Sequence, residues 1–300
     1  MNSPLAFPVR FKNNTIYVLD ETRLPFEEIY IEVKDLNDAL KVLGEMKTRA
    51  FGQVLLFFYT CVLLGKVDEV ALAFKKKRPT FDFLHLAEMV KGVFQKMPDI
   101  KEAINIIVNG FEKKRKERAK NLAHLLPKSS QILTICNLNG ELVYLYEALK
   151  EIKKEAMFFV SETRPYLQGT RLTFWELSKA NIPAKLICDN QAAILMKEKK
   201  INCVIVGSDR SNKKGDIINK IGTYSLARLA YHFHIPFYVL TQYPKEIDIE
   251  KIEIEERPER EVFMWLKERD FPKAVYPAFD ITPGRYISGW INISGEIRCV

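Results

Sequence analysis

The sequence contains no CxxC pair and no cysteine–histidine cluster at zinc spacing. Its five cysteines, Cys61, Cys136, Cys188, Cys203 and Cys299, are odd in number and scattered, and its four histidines lie on helical patterns or at their ends. A structural zinc site and a disulfide framework are therefore not expected, and no metal is. The cysteine usage suits a reducing compartment, which makes the chain cytoplasmic by expectation. At the N-terminus, MNSPLAFPVRF lacks a charged start leading into an apolar run, so no signal peptide is expected. The longest apolar stretch, Val54 to Leu64, falls short of the roughly 20 residues that cross a bilayer and reads as a buried helix. Neither GxxxxGK[ST] nor a GxGxxG after a strand occurs, which removes the nucleotide P-loop and the dinucleotide fingerprint. Internal repeats and low-complexity tracts are missing as well.

What is present is a core-forming composition, 47% hydrophobic over 300 residues, with a net charge of +8 that favours anionic partners. Two basic runs stand out, Lys75 to Arg78 and Lys113 to Lys116 with Arg118 behind. Around the second, Ile104, Ile107, Val108, Phe111, Leu122 and Leu125 recur at helical spacing, so its cations are expected on the solvated face of an amphipathic helix. That run has no interleaved aromatics to stack on bases, so nucleic acid is not the expected partner.

The chain changes character near Pro127. Before it, the short extended segments FPVRF and TIYVLD precede helical patterns at Leu36–Met46, Gln53–Leu64, Phe81–Met97 and Ile100–Leu126, punctuated by Gly65, Pro79 and Pro98. After it, apolar runs alternate with helices: Gln131–Cys136, Ala156–Ser161, Ala184–Cys188, Asn202–Gly207 and Pro236–Leu240 are expected strands. The helices between them are expected at Glu141–Lys153, Leu172–Ala180, Ala192–Lys199 and Gly222–His232. Short, almost wholly apolar strands alternating with helices predict a parallel sheet covered on both faces. The fold class is therefore α/β, with a mainly helical N-terminal domain carrying a small β element (1–127) and a doubly wound C-terminal domain (128–300). Lys245 to Arg269 reads as an excursion before the chain returns through VYPAFDITPGRYISG.

Ligands bind an open parallel sheet beyond the carboxyl ends of its strands, near helix N-termini. Each expected strand here runs into polar residues at that end: Cys136-Asn137, Glu162-Thr163-Arg164, Asp189-Asn190, Asp209-Arg210 and Thr241-Gln242. Asp209 precedes a lysine-rich turn, where partial desolvation suits a carboxyl group to general acid work; an N-cap or an ion pair with Arg210 is the competing reading. For Cys136, helix N-termini favour the thiolate, against a core cysteine. The core reading is the better one for Cys61, Cys188 and Cys203. The loop SETRPYLQGTRLT offers Arg164, Gln168, Gly169 and Arg171 to a polyhydroxy or phosphorylated ligand.

The strings ICNLNG, ETRPYLQGTRLTFWEL and GSDRSNKKGDIINKIGTYSLA, with the opening PVRFKNNTIYVLDETRLPFEE and the closing YPAFDITPGRYISG, resemble one family nearly end to end. It is the family that holds methylthioribose-1-phosphate isomerases, translation initiation factor two-B regulatory subunits and ribose-1,5-bisphosphate isomerases, and the likeness is to the first branch. The resemblance implies a Rossmann-like C-terminal domain, a homodimer, a sugar-phosphate substrate and no metal or organic cofactor. It matches Cys136 and Asp209 to the catalytic cysteine and aspartate of an aldose–ketose isomerase. It matches Arg49 and Ala50 in KTRAFG, Arg78 in KRPT, Gln168 in YLQG and Asn219-Lys220 in INKIG to substrate-contacting positions. Two segments depart from the branch: RGAPAIG is here Arg49-Ala50-Phe51-Gly52-Gln53, and RPTAVNL is Arg78-Pro79-Thr80-Phe81-Asp82-Phe83-Leu84. Turnover of another 5-substituted ribose 1-phosphate or of ribose 1,5-bisphosphate, and binding without turnover as in a regulatory subunit, are the alternatives.

Overall fold

A computed structural model of the chain describes residues 3–79, 81–97, 99–242, 244–264, 266 and 273–299. Thr80, Pro98 and part of the expected excursion before Arg269 lie outside the described residues. The chain forms two compact units, Asn2–Lys113 and Lys114–Val300.

The first unit opens with three antiparallel strands, β1 (Val9–Lys12), β2 (Thr15–Leu19) and β3 (Tyr30–Val33). Four helices follow, α1 (Leu36–Gly44), α2 (Phe51–Leu64), α3 (Val67–Lys77) and α4 (Phe83–Phe94), and α5 (Ile100–Leu125) carries the chain into the second unit. The apolar run Val54–Leu64 is the body of α2. Leu55, Leu56, Phe57, Phe58 and Cys61 on it are fully buried, and the helix stops at Gly65, whose left-handed φ of 68° only glycine adopts freely. Around α2 the core is aromatic, with Phe57 against Phe74 and Phe83 at centroid distances of 5.7 and 5.6 Å. Phe83 occupies the position where the asparagine of RPTAVNL would fall. It is a core residue, and Asp82 before it caps α4 by accepting from the His85 N–H. The helix α3 falls outside the expected helical segments; its last turn holds Lys75 to Lys77.

The second unit is built on a seven-stranded sheet. Its strands are β4 (Ser129–Thr134), β5 (Glu155–Ser161), β6 (Ala184–Ile187), β7 (Cys203–Gly207), β10 (Phe237–Leu240), β12 (Gly289–Ile291) and β13 (Ile297–Cys299). Spatially they run β13-β12-β10-β7-β4-β5-β6, parallel except for the last strand β13 at one edge. The crossings are made by α6 (Glu141–Glu151), a π-helical turn Gly169–Phe174 leading into α7 (Trp175–Lys179), α8 (Ala192–Lys197) and α9 (Thr223–His232). All five expected strands are present within a residue or two, and β4 starts before the expected Gln131: Ser129 lies opposite Glu155 and Ser130 opposite Ala156. A small antiparallel sheet, β8 (Arg210–Ser211), β9 (Ile217–Lys220) and β11 (Phe279–Thr282), sits after β7 in the chain and was not expected.

Two sequence expectations are overturned. Cys188 is exposed: it follows β6, the edge strand, so nothing covers it as the core covers Cys61 and Cys203. In the second basic run, Lys113, Lys114 and Lys116 are solvated, but Arg115 and Arg118 are only 3% and 4% exposed. Both reach Glu141 at the start of α6, through Arg115 Nε and Arg118 Nη2 at 2.6 Å from Oε1. Burial by itself would raise the Glu141 carboxyl, but the Arg118 and Arg115 guanidinia outweigh it and hold the group below the usual carboxylate range. Arg118 Nη1 also donates to the Thr241 carbonyl at 2.9 Å and Arg115 Nη2 to the Asn139 carbonyl.

Arg118→Met leaves Glu141 paired with Arg115 but takes away one charged hydrogen bond and the donor to the buried Thr241 carbonyl, so it is expected to cost about 1 to 3 kcal/mol. Lys116→Met on the solvated face of the same helix should stay within about 0.5 kcal/mol of wild type. Urea unfolding of the two variants checks this; equal losses would mean that the buried cluster carries no special weight.

Candidate active site

The order of the seven strands changes direction at one place. Chain growth from β4 runs to β5 and β6 on one side, and from β7 to β10 and β12 on the other, so the crevice beyond the β4 and β7 carboxyl ends is the topological switch point. Leu133 on β4 pairs with Val204 on β7. Cys136 lies just past the end of β4 and Asp209 just past the end of β7, so the topology brings the two expected catalytic residues to adjacent strand ends.

Cys136 is half-buried and has a left-handed backbone, φ 67°, unusual for a residue with a Cβ. Its N–H donates to Thr163 Oγ1 at 2.9 Å and its carbonyl accepts from Thr173 Oγ1 at 2.6 Å. Asp209 is exposed, and its N–H donates to the Ile218 carbonyl of β9 at 2.9 Å. The lysine-rich turn after it is not loose: Asn212 Nδ2 bonds Asp216 Oδ2 at 2.9 Å, and Asp216 Oδ1 accepts from the Gly284 N–H at 2.8 Å. Gly215 in that turn has φ 100° and packs so closely on Trp290 that a Cβ would come within 2.7 Å of the indole.

The other expected residues of this unit lie at the same end of the sheet. Asn219 and Lys220 sit on β9 rather than in a loop, with Asn219 Nδ2 bonded to Thr223 Oγ1 at 2.9 Å. Lys220 is 7% exposed, with its ammonium 4.8 Å from the Phe279 ring centroid and, among the described residues, no carboxylate within ion-pair distance. A nearly buried cation in that state favours an anionic ligand. Asp280, facing Asn219 across the β9–β11 pair, accepts from the Gly222 and Tyr224 N–H groups; burial pushes its carboxyl up to about 6 against those bonds and the Lys220 charge. Gln168, 4% exposed, has no partner for Oε1, and Asn137 Nδ2, Thr134 Oγ1 and Thr241 Oγ1 are likewise buried and unpaired near strand ends. Native interiors rarely leave such groups unmet, so their gathering at one sheet end marks a place for a polar ligand. Among the described residues, no three His, Cys, Asp or Glu side chains are grouped to hold a metal ion.

Arg49, Ala50 and Arg78 belong to the first unit. Arg78 Nη1 reaches Met46 Sδ, to which Gln53 also donates at 3.4 Å. Ala50 precedes α2 with φ 42° and ψ −113°, close to the first central position of a type II′ turn (about 60°, −120°), where glycine is strongly preferred. Glu21, a residue to which the sequence assigned no role, clasps the segment before it. Its Oε1 accepts from Thr48 Oγ1 at 2.7 Å and the Arg49 N–H at 3.1 Å, and its own N–H donates to the Lys47 carbonyl. Burial pushes the Glu21 carboxyl up to about 7, with the Thr48 hydroxyl and the Arg49 charge pulling the other way.

The profile of the Initiation factor 2 subunit family matches residues 69–299. The methylthioribose-1-phosphate isomerase of Petrotoga mobilis is 36% identical, over 99% of this chain and 97% of its own. That of Caldicellulosiruptor saccharolyticus is 35% identical over 96% and 94%. Among solved structures, 5-methylthioribose 1-phosphate isomerase from Pyrococcus horikoshii superposes with a TM-score of 0.84 at 26% identity, covering 100% of this chain and 95% of that one. Translation initiation factor eIF-2B, subunit delta, from A. fulgidus gives 0.80 at 26% identity, over 98% and 96%.

Two outcomes follow for the first unit. Glycine at position 50 removes the penalty of a Cβ at positive φ, so Ala50→Gly is expected to stabilise by about 1 kcal/mol, read as a higher melting temperature. An unchanged or lower melting temperature would mean that Ala50 carries no strain. The second outcome concerns Glu21. The folded chain keeps its proton up to about 7 while the unfolded chain releases it near 4.5, so the stability it lends below 4.5 is lost as the pH rises through 7. Measured by urea titration, Glu21→Gln should gain on wild type by on the order of 3 kcal/mol between those limits; parallel stability curves would contradict this.

Proposed function

This chain belongs to the Initiation factor 2 subunit family, and from that membership and the paired strand ends we propose that it is an aldose–ketose isomerase. It converts a 5-substituted ribose 1-phosphate, S-methyl-5-thioribose 1-phosphate in the first instance, into the corresponding ribulose 1-phosphate. The observation that supports this most directly is the reversal of strand order between β4 and β7, which sets a cysteine and an aspartate at neighbouring strand ends.

The reaction has fixed proton requirements. Breaking the C1–O4 bond needs a proton on the ring oxygen. The hydrogen on C2 must leave and one must arrive at C1, and O2 must lose its proton as the ketone forms. Proton abstraction and hydride transfer from C2 to C1 share these end points. An acid and a second group at the C1–C2 edge therefore suffice, without a redox partner. Asp209 is the acid in this reading; the structure leaves it exposed rather than partly desolvated as its sequence position suggested, so substrate seated in the crevice supplies the desolvation that general acid work calls for. Cys136 works at the C1–C2 edge, and its hydrogen-bonded, left-handed backbone sets the direction of its Cα–Cβ bond.

Lys220 supplies positive charge for the phosphate, and Gln168 and Asn219 hydrogen-bond the sugar hydroxyls. Arg49, Ala50 and Arg78 on the helical unit carry the same proposed role of substrate binding. The enzyme is proposed to work as a cytoplasmic homodimer. Among the described residues, no helix is long and apolar enough to cross a membrane.

Cys136→Ser and Asp209→Asn are each expected to lower kcat at least about a hundredfold while KM changes little, since the binding residues are untouched. Ketose formation from methylthioribose-1-phosphate, 5-deoxyribose-1-phosphate and ribose-1,5-bisphosphate is the measurement. A fully active Cys136→Ser variant makes Cys136 structural and ends the mechanism. Binding of one of these sugar phosphates by wild-type protein without turnover of any would place the chain with the regulatory subunits.

A further inference from the structure

We propose that Thr163 and Asp189 are positioning residues for Cys136, a two-step clamp that holds the sulfur-bearing residue in its left-handed conformation; the proposal rests on Cys136 acting in the reaction above.

The inner step is the Thr163 hydroxyl. It donates to the Ser161 carbonyl at 3.0 Å, so its lone pairs face the Cys136 N–H, from which it accepts at 2.9 Å. Thr163 is 1% exposed and itself has a positive φ of 64°. Two consecutive strand ends, after β4 and after β5, are thus both left-handed and are tied to each other. Neither conformation is favourable for a residue with a Cβ, and each persists only if its surroundings impose it.

The outer step imposes it. Asp189, at the end of β6, accepts from the Thr163 N–H at 2.9 Å and from the Arg164 N–H at 2.7 Å, and the Ser161 hydroxyl donates to the same Oδ1. One carboxylate therefore orders the backbone of residues 161 to 164, and through Thr163 the backbone of Cys136. On the other side, Thr173 donates to the Cys136 carbonyl from the π-helical turn, a distortion often found at functional sites. That turn begins at Gly169, where a Cβ would lie 1.7 Å from the Ser161 carbonyl and 2.9 Å from Thr163 Oγ1, so the clamp closes only because this position has no side chain. Without the clamp Cys136 can relax to negative φ, which swings its Cα–Cβ bond, and the sulfur with it, away from the reacting carbons.

The test uses the whole protein and three variants whose folding is followed by circular dichroism. Thr163→Val keeps the shape and removes the acceptor, Thr163→Ser keeps the acceptor, and Asp189→Asn replaces an acceptor with a donor facing an N–H group. Thr163→Val is expected to lower kcat by about tenfold to a hundredfold with KM within about twofold, the signature of lost alignment rather than lost binding. Thr163→Ser should stay within about threefold of wild type, and Asp189→Asn should fall between. In parallel, the rate at which iodoacetamide labels the half-buried Cys136 is followed against pH, the adduct being assigned by peptide mass spectrometry because Cys188 and Cys299 are exposed and label too. That profile should shift in Thr163→Val and not in Thr163→Ser.

A folded Thr163→Val with wild-type kcat and labelling overturns the proposal, and so does a Thr163→Ser as impaired as Thr163→Val. If Thr163→Val does not fold, a folded Asp189→Asn with wild-type kcat and labelling overturns it instead. If wild-type protein turns over no sugar phosphate, the functional reading fails separately, and the labelling comparison still decides whether Thr163 positions the thiol.

Discussion

The buried carboxylate of Glu141 is the interaction on which the second unit depends. It opens α6, directly after the loop that carries Cys136, and takes two guanidinium groups from α5, Arg115 and Arg118. Those arginines do more than neutralise it. Through the carbonyls of Asn139 and Thr241 they also tie down the loop after β4 and the end of β10, on either side of the strand-order reversal. The loop needs such anchoring, because Cys136, Asn139 and Gly140 all have positive φ within five residues. A segment so far from relaxed geometry keeps its shape only when contacts from several elements over-determine it. Here they come from α5 through Arg115, from Glu176, which accepts the Gly140 N–H at 3.2 Å, and from Thr163 and Thr173 at Cys136.

A parallel sheet with helices on both faces has no free face for chemistry, so only its ends are available. That constraint explains why the Cys136–Asp209 pair and the unpaired buried atoms of Asn137, Gln168 and Thr241 lie beyond strand ends, with the nearly buried Lys220 on the small sheet that follows β7. It also explains the small sheet after β7. Were residues 210 to 220 a free loop, Lys220 would be solvated and its charge screened; pairing of β9 with β8 and β11 buries the lysine stem and presents the ammonium in a poorly solvated setting, where it acts more strongly on an anion.

Which parts of this were legible in the sequence follows from where the determining contacts lie. Doubly buried strands announce themselves as short apolar runs, and the polar residues that interrupt them mark the strand ends, so the α/β class, the order of elements and the positions of Cys136 and Asp209 could all be read. The burial of Arg115 and Arg118 could not, because their partner Glu141 lies beyond the next strand and a basic run on a helix reads locally as a solvated face. Exposure of Cys188 depends on β6 being an edge strand, which strand order decides and local composition does not. Likewise IINK (Ile217–Lys220) pairs with β11, whose residues come late in the chain, so no strand was expected there. Asp189 was visible as a polar strand end, but its hold on Thr163 and Arg164 depends on the β5–β6 register.

The departures from the isomerase pattern in the first unit bear on whether the chain has kept its chemistry. At Phe83 the change is absorbed by an aromatic core, with Asp82 supplying the helix cap. At Ala50 the residue differs from the glycine of that pattern, and the backbone lies in a region suited to glycine, with φ 42° and ψ −113°. Relaxation there would be downhill, yet the surroundings prevent it: Glu21 holds Thr48 and the Arg49 N–H, the Gly52 N–H donates to the Arg49 carbonyl at 2.8 Å, and the Gln53 N–H to the Ala50 carbonyl at 3.1 Å. The direction of the position-50 amide at the start of α2 is thus set by neighbours and not by the residue itself. A contact made through backbone, as at a helix N-terminus that receives an anion, is indifferent to a methyl group that points elsewhere. Conformation kept at a cost of about 1 kcal/mol, in a chain that also keeps Cys136 and Asp209 at adjacent strand ends, argues for retained turnover rather than for a binding module that has lost it.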